Sequence, residues 1–183
     1  FAINILRQGE KIVTNTNIYV ASNGLTVLGT AIPGVEVAAL SFIIPAGSAY
    51  DLDNKVGTAS FLVEMMPKGA GTRNSKELLQ AFEDLGIQRS QGVGSETATF
   101  SAAMRAQHLG TALELLRDMI LAPTLPLEEM EAIRSVTLQE ILSLEDEPSS
   151  KVMVELAQRA YGSRFGRFSS GSFCVDLHFF QAL

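Results

Sequence analysis

The apolar spacing of this chain changes period repeatedly, and prolines and glycines mark each change. Residues 18–30 and 35–44 are rich in Val, Ile, Leu and Phe. Turn signals stand at Ala21-Ser22-Asn23-Gly24 and at Pro33-Gly34, so the two stretches read as strands. A helix is expected over 56–66, where Pro67 ends it because its ring clashes with the preceding turn. A second helix is expected to open at Ser75, carry Leu78, Leu79, Phe82 and Leu85 as one stripe, and stop at Gly86. Strand spacing returns over 87–105 around Gly92-Val93-Gly94. Helices then follow over 111–121, 127–144 and, beyond Pro148, 149–161. The order β-β-α-α-β-β-α-α-α predicts an α+β fold, a mainly antiparallel sheet packed with helices.

Composition narrows what such a domain can do. At 183 residues the chain can bury a core without disulfides or a structural metal. Its 46% hydrophobic and 19% charged residues are those of a folded chain rather than a disordered one. A formal net charge of −6 with no Lys/Arg run argues against nucleic acid or an anionic membrane as partner. The most apolar stretch, 35–49, is interrupted by Glu36, Ser41 and Pro45 and is far short of the ~20 residues of a membrane span. One cysteine, Cys174, fits a reducing compartment. A soluble protein of the cytoplasm, the periplasm or an organelle matrix is compatible with all of this. The chain begins at Phe1, which reads as a fragment or a processed or trimmed form, and residues 1–16 read as an early strand or arm.

The helix at 56–66 carries the most specific motif, Ala59-Ser60-Phe61-Leu62-Val63-Glu64-Met65-Met66-Pro67-Lys68-Gly69. Before it come Asn23-Gly24-Leu25-Thr26-Val27, then Pro45-Ala46-Gly47-Ser48-Ala49-Tyr50-Asp51, then Gly57-Thr58. After it come Gly69-Ala70-Gly71-Thr72-Arg73, Val136-Thr137-Leu138-Gln139-Glu140-Ile141 and Tyr161-Gly162-Ser163-Arg164-Phe165-Gly166-Arg167. In this order they resemble the pitrilysin/insulinase family of inverted zinc peptidases, which includes the mitochondrial processing peptidases and the core subunits of respiratory cytochrome complexes. The resemblance covers residues 17–171 as one half-domain; the tail, 172–183, matches nothing expected there.

The resemblance implies one half-unit of a clamshell and a zinc site built on His-x-x-Glu-His. Here those five positions read Ser60, Phe61, Leu62, Val63 and Glu64. Ser60 and Glu64 thus stand where the two imidazoles would, and Val63 stands where the general base would. Glu140 falls at the spacing of the third ligand. A catalytic zinc wants three good donors and an open position, and a serine hydroxyl is a poor one. Magnesium or calcium would need six or more oxygens. Val63 cannot accept a proton, and general-base catalysis contributes ~10²–10⁴-fold. No cofactor is therefore expected, with Glu64 and Glu140 the only weak metal candidates.

The implied function is a non-catalytic domain that pairs with another half-domain or subunit of the family to form a peptide-binding chamber. Gly92-Val93-Gly94-Ser95-Glu96-Thr97-Ala98 corresponds to the edge strand on which substrate pairs in the family, so it is the expected peptide-binding segment. Two alternatives stay open: a metal-dependent endopeptidase with atypical ligands, and a purely structural scaffold like the core subunits. Other residues add little. His108 reads as a boundary histidine, His178 and Cys174 lack a catalytic context, Met65-Met66 reads as core filling, and Lys68-Gly69-Ala70-Gly71-Thr72 lacks the full phosphate-loop pattern.

Overall fold

The computed structural model describes residues 16–170; the expected arm ahead of them, the tail 172–183, Cys174 and His178 lie outside the described residues. Three strands precede the first helix rather than two: β1 (Thr16–Val20), β2 (Thr26–Thr30) and β3 (Val37–Ile44). The stretch 18–30 is a hairpin, not one strand. Its tip is Asn23-Gly24: Gly24 takes a φ of +87°, and the Leu25 N–H donates to Asn23 Oδ1 at 3.1 Å. An L side chain resists that φ, and glycine does not.

Helix α1 (Thr58–Met65) runs into a short tight turn over Met66–Lys68 that contains Pro67. A minimal pair, β4 (Gly69–Ala70) and β5 (Arg73–Asn74), leads to α2 (Ser75–Glu83). The helix opens at Ser75 as expected, and its cap is Asn74. Asn74 Oδ1 accepts from the Glu77 N–H and Glu77 Oε2 accepts from the Asn74 N–H, each at 3.0 Å, which satisfies two otherwise orphaned donors. Strands β6 (Gln88–Val93) and β7 (Ala98–Arg105) follow, then α3 (Leu109–Leu121), α4 (Leu127–Asp146) and α5 (Pro148–Phe165). Pro148 sits in the first turn of α5, where its missing N–H costs nothing.

The main sheet is antiparallel in the order β3-β7-β6, so the described β6 is an edge strand. Register aligns Phe42, Phe100 and Gln91 across it, placing them on one face. On that face the alternate residues of β7, Ala98, Phe100, Ala102 and Met104, are buried. They pack with Leu78 and Phe82 of α2 and with Ala112, Leu115, Leu116 and Met119 of α3. Burying a side chain such as Phe82 or Phe100 stabilises by about 1.5–3 kcal/mol, so this layer holds the fold. Helix α1 belongs to two clusters. Val63 joins the main core, while Phe61 and Met65 meet Ile133 of α4, flanked by Met130 and Leu138.

Candidate functional site

The start of α1 is held from outside the helix. Gly57 precedes it at φ +95°, and the Asp51 carboxylate accepts from the Gly57 N–H at 2.8 Å and the Ala59 N–H at 3.0 Å. Arg167 closes on the same loop. Its side chain is 7% exposed, and it donates from Nη1 to the Asp51 carbonyl at 3.2 Å and from Nη2 to Asp53 Oδ1 at 3.0 Å. Arg164 Nε donates to the Ala49 carbonyl at 2.7 Å. Both arginines reach this loop because α5 breaks at Gly162, where φ is +79°.

Burial pushes the Asp51 carboxyl above its ordinary value, against the pull of its backbone hydrogen bonds and of Arg167. The native state then takes up that proton at a higher pH than the unfolded chain does. The stabilisation from this group is complete below the ordinary carboxylate value and is lost as pH rises through the raised one. Asp51→Asn is expected to flatten that part of the stability–pH curve in urea titrations. It also forgoes one of two cap bonds, at a cost of about 1 kcal/mol.

Along α1, Ser60 is half-buried and Glu64 is exposed, one helical turn apart on the same stripe. Val63 is 4% exposed and lies in the main core. Glu140 is on α4, which packs along α1 through Ile133. It is exposed, and its Oε2 accepts from Ser170 Oγ at 3.4 Å. The fold therefore sets the four nominated positions on two packed helices. Their chemistry does not fit a tetrahedral zinc, which wants imidazole or thiolate donors. Among the described residues, no three His, Cys, Asp or Glu side chains gather as a metal-holding group.

The nominated peptide segment divides into three environments. Gly92 and Val93 end the edge strand β6, and Ala98 opens the central strand β7 and is buried. Residues 94–97 form the turn between them, and all four of its carbonyls are engaged, that of Thr97 by the Gly94 N–H at 2.8 Å and the other three by the 47–49 loop. Gly94 O accepts from Ser48 N at 3.0 Å, Ser95 O from Ala49 N at 2.8 Å and Glu96 O from Gly47 N at 3.2 Å. The open edge is therefore Gln88–Val93, beside α1.

One residue of that edge was not apparent from spacing alone. Arg89 lies 5.4 Å over the Phe82 ring and donates from Nη1 to Gln91 Oε1 at 3.0 Å. Burial lowers this guanidinium from its ordinary value, and the charge of Glu64 works in the opposite direction. Alternation along β6 put Arg89, Gln91 and Val93 on one face, but nothing in the sequence brought Glu64 near them. An open groove of about 450 Å³ between α2 and β6 is lined by Leu79, Phe82, Glu83, Arg89 and Gln91, among others. A second hollow of about 590 Å³ lies between the starts of α2 and α4. Its Lys68 pairs with Glu129 at 3.7 Å, and its Arg73 pairs with Asp118 at 3.6 Å. His108 precedes α3 with its Nε2 3.1 Å from Gln107 Nε2, and Met65 is buried.

Comparison with known proteins places this arrangement. An uncharacterized zinc protease of Rickettsia felis is 31% identical over 147 residues, which is 80% of this chain and 36% of the relative. The β subunit of the rat mitochondrial-processing peptidase is 30% identical over 149 residues, or 81% of this chain and 30% of that one. The chain thus spans about a third of the length of these curated relatives. Among solved structures, a peptidase M16 inactive domain from Pseudomonas fluorescens superposes with a TM-score of 0.81 at 23% identity. The match covers 92% of this chain and 42% of that one. Pitrilysin gives 0.75 at 20% identity, covering 91% and 18%. Residues 26–167 match the insulinase family, peptidase family M16, and the chain belongs to it.

Proposed function

We propose that this chain is a non-catalytic half-domain of the family, which pairs with another half-domain and offers the edge of its main sheet to an extended peptide. The observation that carries the reading is Val63. It occupies the general-base position and is packed into the main core, so the site has apolar filling where a carboxylate would have to face substrate. Ser60 and Glu64 at the imidazole positions point the same way. The inactive M16 domain from Pseudomonas fluorescens supports it as a structural parallel. Pairing is supported by α5, which has no buried residue and exposes Val152, Met153, Leu156 and Tyr161.

Peptide pairing needs accessible backbone rather than particular side chains, so loss of the metal ligands leaves Gln88–Val93 usable. Saturable binding of a random peptide library is expected, with new amide protection from hydrogen exchange confined to that strand. Gln91→Pro, which replaces an N–H facing the open edge, is expected to reduce binding by about tenfold or more. Binding without protection at β6 would contradict the peptide edge. Chelator-sensitive cleavage of the same library would contradict the non-catalytic assignment.

A further inference from the structure

Arg89 stands half-buried with no carboxylate paired to it among the described residues. Its guanidinium lies over the ring of Phe82, which is 1% exposed, and Nη1 is tied to Gln91 Oε1. Nε and Nη2 make no hydrogen bond among the described residues, and the side chain lines the open groove between α2 and β6. A guanidinium offers five N–H donors in a planar fork, and two of them match the oxygens of one carboxylate. The Phe82 ring and Gln91 fix that fork in advance, so a ligand would not have to order it. Two acids stand nearby: Glu64 of α1 acts on the guanidinium through its charge, and Glu83 of α2 lines the groove. Both are exposed and screened by water, whereas the fork is half-desolvated, so a two-point contact outweighs them.

The backbone beside Arg89 decides where such a carboxylate would come from. The Gly94 N–H donates to the Thr97 carbonyl, and antiparallel bonding alternates from there along the register. Gly92 and Ser90 therefore bond to β7, whereas Arg89 and Gln91 turn their N–H and C=O to the open edge. Their side chains share the face of Phe100, on which α1 and α2 pack. A strand added at this edge puts the residue opposite Arg89 on that face, with the two Cβ atoms about 4.5–5.5 Å apart. A carboxylate on that residue reaches the fork. We propose that Arg89 sets the specificity of this edge by binding a carboxylate of the extended peptide, whether an acidic side chain or the C-terminal group. This rests on the peptide edge described above and names what that edge selects.

The test uses acetylated, amidated peptides of alternating valine and threonine, roughly ten residues long, with Glu, Gln or Lys at the centre. A further peptide carries no acidic side chain but has a free C-terminal carboxylate. Each is titrated against the 183-residue chain by fluorescence anisotropy, with amide exchange followed at Gln88–Val93. The Glu peptide or the free-carboxylate peptide is expected to bind about ten- to hundredfold tighter than the Gln peptide. Whichever does so names the source of the carboxylate. Arg89→Gln is expected to bring that ratio close to one. The ratio is taken on a single protein, so a variant that is partly unfolded still reports it. Equal binding of the acidic and neutral peptides, with β6 protected, would overturn the proposal and leave the peptide edge standing. A carboxylate preference that survives Arg89→Gln would overturn it as well. Tightest binding of the Lys peptide would give the selection to Glu64 and Glu83 instead. No protection at Gln88–Val93 from any peptide, or protection there before one is added, would remove the edge and the proposal together.

Discussion

Val63→Glu, which restores the carboxylate of the peptidase motif, is expected to destabilise this domain by about 3–5 kcal/mol at neutral pH instead of creating a base. Val63 is in contact with the main cluster of Leu78, Phe82, Phe100 and Leu116, which offers an anionic side chain no partner. The buried carboxyl would titrate well above its ordinary range. The loss should therefore shrink as pH falls through that raised value, where the side chain becomes neutral. Urea unfolding of the variant at several pH values measures both effects. A Val63→Glu protein as stable as the parent at neutral pH would mean that position 63 opens onto solvent, and the core assignment would fail.

Gly47→Ala is the second large effect. A methyl group at Gly47 would lie 2.4 Å from Glu96 C and Ser95 O, both backbone atoms that cannot swing aside. The loop 47–49 must then separate from the 94–96 turn, where three backbone hydrogen bonds now join them. Overpacking costs about 1–3 kcal/mol and each lost bond about 1 kcal/mol, so a loss of about 2–4 kcal/mol is expected on thermal or urea unfolding. Loop 47–53 also carries Asp51, which caps α1. Amide exchange at the start of α1 should therefore rise in the same variant.

Local signals reached as far as local causes operate. Pro67, Gly86 and Pro148 set helix ends that the backbone respects, because each acts on its own φ or on the preceding turn. By spacing, 18–30 reads as a single strand although Asn23-Gly24 marks a tight reversal. Both halves are apolar, so spacing alone did not separate them. Helix α2 opens at Ser75 as expected, and the reciprocal pair of Asn74 and Glu77 caps it.

Ser60, Val63 and Glu64 could be set on one helix from their spacing, since helical period depends only on sequence distance. The contacts that build the surroundings of α1 could not. Arg164 reaches the Ala49 carbonyl across 115 positions, and Arg89 comes under the charge of Glu64 only when β6 lies beside α1. The nominated strand 92–98 also depended on tertiary structure. Where β6 ends and the engaged turn begins follows from the 47–49 loop, which sequence spacing does not place.

Zinc titration by isothermal calorimetry, run on the unmodified chain and on Ser60→His/Glu64→His, tests the central claim most directly. The double variant places two imidazoles one turn apart on one stripe of α1, within a frame whose third position is Glu140, and leaves Val63 untouched. The unmodified chain should bind no stoichiometric zinc, and the double variant should gain about one zinc per chain. Stoichiometric zinc on the unmodified chain, released by a chelator, would contradict the account.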